Sequence, residues 1–448
     1  MYVSSLVVPG LLLLVLAVAY RPRILSRDSH RQLDLWLLVA IGAAVLQILP
    51  LPRVLLDIVS PAASRVVAAL ALKPSQGALP SSIDATDSAT ALALFGGMVL
   101  VFLTARQIFE NGGVRTFTRG LAIVGLVLAG IAIAQEATGG GRMYWRWTPT
   151  FERTHPFGPF VNRNHFGTWA IVATALCVGY LAAHLATRQS GSPGRSWRSR
   201  LVTAMDGRAA LLLAATSLMM VGIVLSLSRS SLIGVAATLV VGVWLSRYRA
   251  TDSGAGSRLA IVAGVLVLLT GLLIIIRVPP AQVMHRVSDA PVALEDRLTI
   301  WRETVPIIRE FWLTGTGVGT YQTAMAVFQQ SDKGLIYNQA HNHYLQVLAE
   351  GGLLVGIPVA VALWIFGRES ARALARDRSG IFWLRVGAAS GLAGVAVQSV
   401  LETGLLTPAN GVLAAIAAAV VLHTPRRAPG AEVVAALQSR VRGTTGKC

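Results

Sequence analysis

The chain is assembled from apolar blocks, and their length decides what it can fold into. Eleven runs stand out: 5–20, 33–50, 89–109, 119–135, 166–187, 209–227, 231–246, 259–276, 344–366, 383–402 and 408–423. A bilayer core takes about 20 apolar residues per helix, and only helices or closed barrels satisfy the backbone inside lipid. The runs are continuous rather than alternating, which argues against a barrel. Of 448 residues, 54% are hydrophobic and 13% charged, whereas soluble domains carry about a quarter charged. The expected fold is an all-α polytopic integral membrane protein with about eleven (10–12) transmembrane helices. Segment 54–72 is interrupted by Pro61 and Arg65 and reads as interfacial or re-entrant. The first run leads into Arg21 and Arg23 rather than a small-residue cleavage site, so it is expected to be retained.

The net charge is +18, almost all of it arginine. Without a compact basic domain this gives no nucleic-acid site; cytoplasmic loops collect such cations. Loops 21–32, 188–208, 247–258 and 367–380 and the tail 424–448 are therefore expected inside. The outer loops are then 51–88, 136–164 and 277–343. This gives N-terminal helices over 1–135, central helices over 136–276, a large outer loop over 277–343 and C-terminal helices over 344–423. Two outer loops break the charge rule, with Arg142, Arg146, Arg153 and Arg163 in one and Arg277, Arg286, Arg297, Arg302, Arg309 and Lys333 in the other. An anionic ligand at the outer face accounts for them. Residues 294–311 read as an amphipathic helix over the membrane face. Gly315-Thr316-Gly317-Val318-Gly319 is a turn; no lysine follows as a phosphate loop requires.

Three polar clusters open inward-running helices at the outer boundary: Asn162-Arg163-Asn164-His165, Ser226-Leu227-Ser228-Arg229-Ser230-Ser231 and His341-Asn342-His343. Asn164, Ser228 or Ser230, and Asn342 are suited to capping. Helix N-termini attract anions, and arginine binds phosphate bidentately. Histidine titrates near neutral pH and is fit for proton transfer. Each cluster also has a plainer reading. Arg163 suits a headgroup anchor, Arg229 a partner for a buried acid such as Glu402, and the histidine pair a wet loop end. His-x-His also suits a metal, but no third ligand is evident nearby. The stretch Tyr144-Trp145-Arg146-Trp147 reads as an interfacial belt or a sugar-stacking platform. The two cysteines, Cys177 and Cys448, offer neither a disulfide framework nor a zinc site.

Read in order, these motifs resemble the O-antigen ligase and polymerase superfamily of bacterial envelope glycosyltransferases. Phe157-Gly158-Pro159-Phe160-Val161-Asn162-Arg163-Asn164-His165-Phe166 looks like the segment that opens a mid-chain helix, and Ser226-Leu227-Ser228-Arg229-Ser230 like the family's Ser-Arg turn. Asp296-Arg297-Leu298-Thr299-Ile300-Trp301, the 315–319 turn, His341-Asn342 and Gly352 look like its large outer loop and the helix that follows. The resemblance covers about 157–356. It implies a GT-C-like fold in the bacterial inner membrane, with the active site facing the periplasm, and a part in lipopolysaccharide biosynthesis. The donor it implies is an undecaprenyl-pyrophosphate-linked glycan and the acceptor a hydroxyl of lipid A core or of another glycan. Membrane lipids are the remaining partners, no metal or cofactor is expected, and the anomeric centre is inverted.

Mapped onto this chain, His341 is the expected base, with His343 the second choice and a carboxylate from Asp289, Glu295 or Asp296 the alternative, and Arg229 and Arg297 stabilise the leaving pyrophosphate. Asn162, Arg163, His165, Arg302, Asn342 and His343 are expected to hold pyrophosphate or glycan. A polymerase and a protein O-oligosaccharyltransferase are alternatives within the same chemistry. A polysaccharide or lipid transporter is the rival from another class, although the polar clusters sit on one face and no inverted repeat is seen.

Overall fold

The computed structural model describes residues 19–25, 30–70, 77–148, 155–189, 206–249, 290–331, 334–335 and 337–424. The expected span 259–276 and nearly all of 5–20 lie outside these, as do most of the arginine-rich loops 188–208 and 247–258 and almost all of the tail.

The described chain is helical, as the apolar runs require. We number the helices α1 Arg31–Ile48, α2 Arg53–Val59, α3 Pro61–Leu70, α4 Ala85–Glu110, α5 Val114–Thr138, α6 Arg163–Gln189 and α7 Gly207–Leu225. They continue as α8 Arg229–Ser246, α9 Ala290–Glu310, α10 Tyr321–Phe328, α11 His343–Arg376, α12 Phe382–Gln398 and α13 Pro408–Leu422. Seven of them (α1, α4, α5, α6, α7, α8 and α11) are long and apolar enough to cross a membrane. The shorter α12 and α13 pack within the same core. Within segment 54–72, residues up to Leu70 form two short helices broken at Ser60, the second beginning at Pro61.

Small residues let the central helices approach closely. A Cβ on Gly179 of α6 would collide with the Trp383 carbonyl, and one on Gly391 of α12 with Ala175. Gly394 of α12 lies against Gly234 and Thr238 of α8. Lipid gives no hydrophobic drive between helices, so such contacts and interhelical hydrogen bonds do the packing. At the end of the bundle away from the polar clusters, Arg106 bonds Asp34 at 2.8 Å and Arg385 pairs with Asp377 at 3.1 Å.

Two expected spans change shape. The run 383–402 is not helical throughout: α12 ends at Gln398, and Leu401 N–H closes a turn on the Gln398 carbonyl at 2.8 Å. Hydropathy counted Val400 and Leu401 as span, but the chain leaves the helix there and turns Glu402 inward. The run 344–366 belongs to a longer helix, α11, broken at Gly352 (φ 54, ψ −157).

The turn after α9 repairs that break. Leu353 and Leu354 N–H donate to the carbonyls of Trp312 and Leu313, each at 2.9 Å. The carbonyls of Ala349 and Glu350 accept from Thr316 and Gly317 N–H, at 3.0 and 2.9 Å. The buried Glu350 carboxylate accepts from Gly319 and Tyr321 N–H, and Gln47 of α1 donates to the Thr314 and Glu350 carbonyls. The glycine-rich turn thus spends its amides on a broken helix rather than on a phosphate, and only glycine has the conformational freedom and size for the crossing of Gly315 and Gly352. Around it, α2, α3, α9 and α10 form a second apolar cluster through Leu56, Ala63, Ile307, Phe311, Tyr321 and Met325.

Gly352→Ala places a side chain in a glycine-only conformation and against the 313–315 backbone. It is expected to cost at least about 2 kcal/mol. Thermal unfolding in detergent reads this out; a variant as stable as the parent contradicts it.

Candidate functional site

The N-termini of α6, α8 and α11 meet at one end of the bundle, and each is capped by a side chain from its own polar cluster. Ser228 Oγ accepts Ser231 N–H at 3.3 Å, and Asn342 accepts Tyr344 and Leu345 N–H at 3.1 Å each. At α6 the sequence pointed to Asn164 as cap, but Asn162 takes that place, accepting Asn164 N–H at 2.8 Å. The reason is that the Asn164 side chain is used elsewhere. Leu227 and His341, just outside α8 and α11, have left-handed backbones (φ 51 and 46). Side chains other than glycine avoid this region, so their surroundings hold them there.

What holds His341 is Glu402, from the turn after α12. Its carboxylate is fully buried and meets two of the three polar clusters and the backbone of its own turn. Oε1 lies 3.2 Å from His341 Nδ1 and 3.9 Å from His165 Nε2, and accepts Thr403 N–H at 3.1 Å. Oε2 accepts a short hydrogen bond from Asn164 Nδ2. Burial by itself would push the Glu402 pKa up. The hydrogen bonds from His341 and Thr403 and the histidine charges outweigh it, so the carboxyl is held below its ordinary range and ionised.

From Asn164 the network continues into α8. Asn164 Oδ1 accepts the Ser228 hydroxyl at 2.7 Å, and Ser228 Oγ lies 2.7 Å from Ser231 Oγ. Gln398 of α12 donates to Ser231 Oγ at 3.2 Å and to the Asn164 carbonyl at 3.3 Å. Gly167 leaves the room Ser231 occupies. His165 is anchored by Thr407 Oγ1 at 2.8 Å from its Nδ1.

The cationic residues distribute around this cluster. Arg163 and Arg229 are the first residues of α6 and α8, both half-buried. Arg297 lies one helical turn before Trp301, whose indole N–H donates to the Ala340 carbonyl at 3.0 Å, next to His341. That contact ties α9 to the loop before His341. The Arg297 Nε is buried without a hydrogen-bond partner. Arg302 is not brought in; it pairs with Glu295 at 2.9 Å on the exposed side of α9. His343 is tied to α12 by its backbone N–H, which donates to the Ser399 carbonyl at 2.8 Å, and its Nδ1 is buried without a partner. Among the described residues, no three His, Cys, Asp or Glu side chains converge as metal ligands would.

Sequence reasoning saw Glu402 only as a possible partner for Arg229, and did not see the part played by the Asn164 side chain, Gln398 or Thr407. One signal was available: Gln398 and Glu402 lie in an apolar run, where polar groups are costly and need partners.

The fold and cluster define a polytopic α-helical membrane protein with a polar site at converging helix N-termini. Residues 214–360 match the family model of the O-antigen ligases, which supports the resemblance to the O-antigen ligase and polymerase superfamily. The matched segment runs from within α7 to within α11 and contains Arg229, Arg297, His341 and His343. Arg163, Asn164 and Glu402 lie outside it; Asn164 and Glu402 are joined to it through Ser228 and His341. No curated protein matches the chain.

Asn164→Leu leaves Ser228 and a buried carboxylate each short of a partner. The expected loss is about 1–3 kcal/mol of stability, seen as a lower unfolding temperature in detergent; an unchanged temperature contradicts the bridging role.

Proposed function

We propose that the protein transfers a glycan from undecaprenyl pyrophosphate to an acceptor hydroxyl, that of lipid A core, at the periplasmic face of the bacterial inner membrane. One observation carries the reading. His341, within the family-matched segment, is held on a left-handed backbone against an ionised buried carboxylate, at the N-termini of the helices that begin with Arg163 and Arg229.

The chemistry follows from charge. The bond between the anomeric carbon and the pyrophosphate oxygen breaks as the acceptor oxygen bonds that carbon from the opposite face. The electron pair leaves on pyrophosphate. Arg229, Arg297 and Arg163, with the N–H groups of two helix ends, meet the growing charge and lower the barrier. A sugar hydroxyl is a weak nucleophile, and His341 takes its proton as the bond forms. Asn162, His165, Asn342 and His343 are assigned to holding pyrophosphate or glycan. Arg302, in its exposed ion pair, is left outside this assignment. No step calls for a metal or a nucleotide sugar.

His341→Ala is expected to reduce transfer on the order of 10²–10⁴-fold, with the protein still in the membrane. Arg229→Ala should cost about 10²–10³-fold, and Arg229→Lys should recover only part, since lysine lacks the bidentate fork. The assay is conversion of undecaprenyl-pyrophosphate-linked glycan by purified protein without an energy source. Normal transfer by His341→Ala removes the base assignment. No transfer by the parent protein removes the whole reading. A product lengthened on the lipid carrier, in place of glycan on lipid A core, makes the protein a polymerase.

A further inference from the structure

We infer that Glu402 is a positioning residue: it fixes the proton of His341 on Nδ1 and leaves Nε2 bare to act as the base. The inference rests on the transfer reaction proposed above and adds a residue outside the matched segment.

The hydrogen bonds leave one assignment. An ionised carboxylate only accepts. Asn164 must therefore turn its amide nitrogen toward Glu402 and its oxygen toward Ser228, which is the orientation present. Thr403 N–H is a donor by nature. The remaining contact, His341 Nδ1 at 3.2 Å from Oε1, is then a donor too. In the neutral form that a base requires, the imidazole has one N–H, and with that proton on Nδ1 the Nε2 keeps its lone pair. Exposure agrees with this division: the Glu402 side chain is 1% exposed and that of His341 31%, so the ring leads from the buried charge to the open side.

The titratable groups facing Glu402 are His341 from the loop before α11 and His165 from α6. His165 differs from His341 in two ways. Its Nε2 stands off at 3.9 Å without a hydrogen bond, and its Nδ1 is engaged by Thr407. It therefore flanks the carboxylate, whereas His341 is directly bonded to it.

In the transfer step the acceptor O–H proton moves to His341 Nε2 while the acceptor oxygen bonds the anomeric carbon and pyrophosphate departs. Glu402 takes no proton. It stabilises the imidazolium that forms and holds the ring in place against the strained backbone of His341.

The test uses full-length protein in nanodiscs, with undecaprenyl-pyrophosphate-linked O-polysaccharide as donor and lipid A core as acceptor. Glu402→Gln presents an amide donor to Nδ1 and favours the wrong tautomer. The expected result is a kcat loss on the order of 10²–10³-fold, with KM within about threefold of the parent. Glu402→Asp, which keeps the charge, should recover part of kcat, and it carries the kinetic test if the glutamine variant does not accumulate. In a His341→Ala background, Glu402→Gln should cost no more than about twofold further, because its effect runs through His341. Histidine-selective ¹⁵N NMR reads the tautomer without turnover: His341 should be protonated at Nδ1 in the parent and redistributed in Glu402→Gln. A parental kcat in Glu402→Gln, an equal cost with and without His341, or an unmoved tautomer each overturns the proposal. If the parent itself transfers nothing, the reaction reading fails, while the NMR result still decides whether Glu402 sets the tautomer.

Discussion

A carboxylate with no access to water must be surrounded by donors or give up its charge, and the polar end of this bundle is organised around that demand. Glu402 draws one donor from the loop before α11, one from α6 and one from its own turn. Isolated in a low-dielectric setting it would cost several kcal/mol. Once paired, it ties together three segments far apart in the chain. The helix packing beneath depends on the same alignment. Gln398, one turn before Glu402, joins α12 to both α6 and α8, and small residues below it let those helices close up.

The second constraint is the break in α11. An unbroken helix from His343 to Arg376 would satisfy its own backbone and have no need of the outer elements. Gly352 releases two N–H groups and two carbonyls, and the turn after α9 takes up all four. This fixes α9 relative to α11, and α9 carries Arg297 and Trp301. Trp301 in turn reaches the carbonyl beside His341. A glycine in the middle of an apolar run thus determines where a loop arginine lies relative to the candidate base. The buried Glu350 serves this joint and not the site, although its sequence context resembles that of Glu402.

Much of this was legible in the residues. Block length gave the membrane fold, and the three polar clusters gave the ends that converge. Ser228 and Asn342 were readable as caps because a small polar residue before an apolar run has few other uses. Asn164 misled for the same reason: its side chain fits a cap, but the network needs it more, and its neighbour two residues earlier caps in its place. Glu402 was readable as a buried acid, but its place in a turn was hidden by averaging. Window hydropathy merges a terminal acid into the apolar residues before it, and nothing local shows that the helix stops at Gln398. Arg302 shows the converse. It shares a loop and a charge with Arg297, but helical geometry turns it to the far side of α9, where Glu295 is within reach. Spacing along a chain fixes a face only once the helix is anchored, and the anchor here is Trp301.

A carboxylate beside a site proposed for pyrophosphate looks like an electrostatic contradiction. Depth and pairing remove it. Glu402 is buried and its hydrogen bonds are filled from within, so its charge is spent on His341, Asn164 and the backbone of its own turn. The helix ends that begin with Arg163 and Arg229 lie at the same cluster. Of the two opposite charges His341 would meet during reaction, only the carboxylate is permanent. In the proposed reaction it steadies the imidazolium as the proton arrives, while the arginines meet the phosphate as it departs. On that proposal, acid–base work and leaving-group stabilisation fall at two ends of one hydrogen-bonded network, with Asn164 and Ser228 as the link between them.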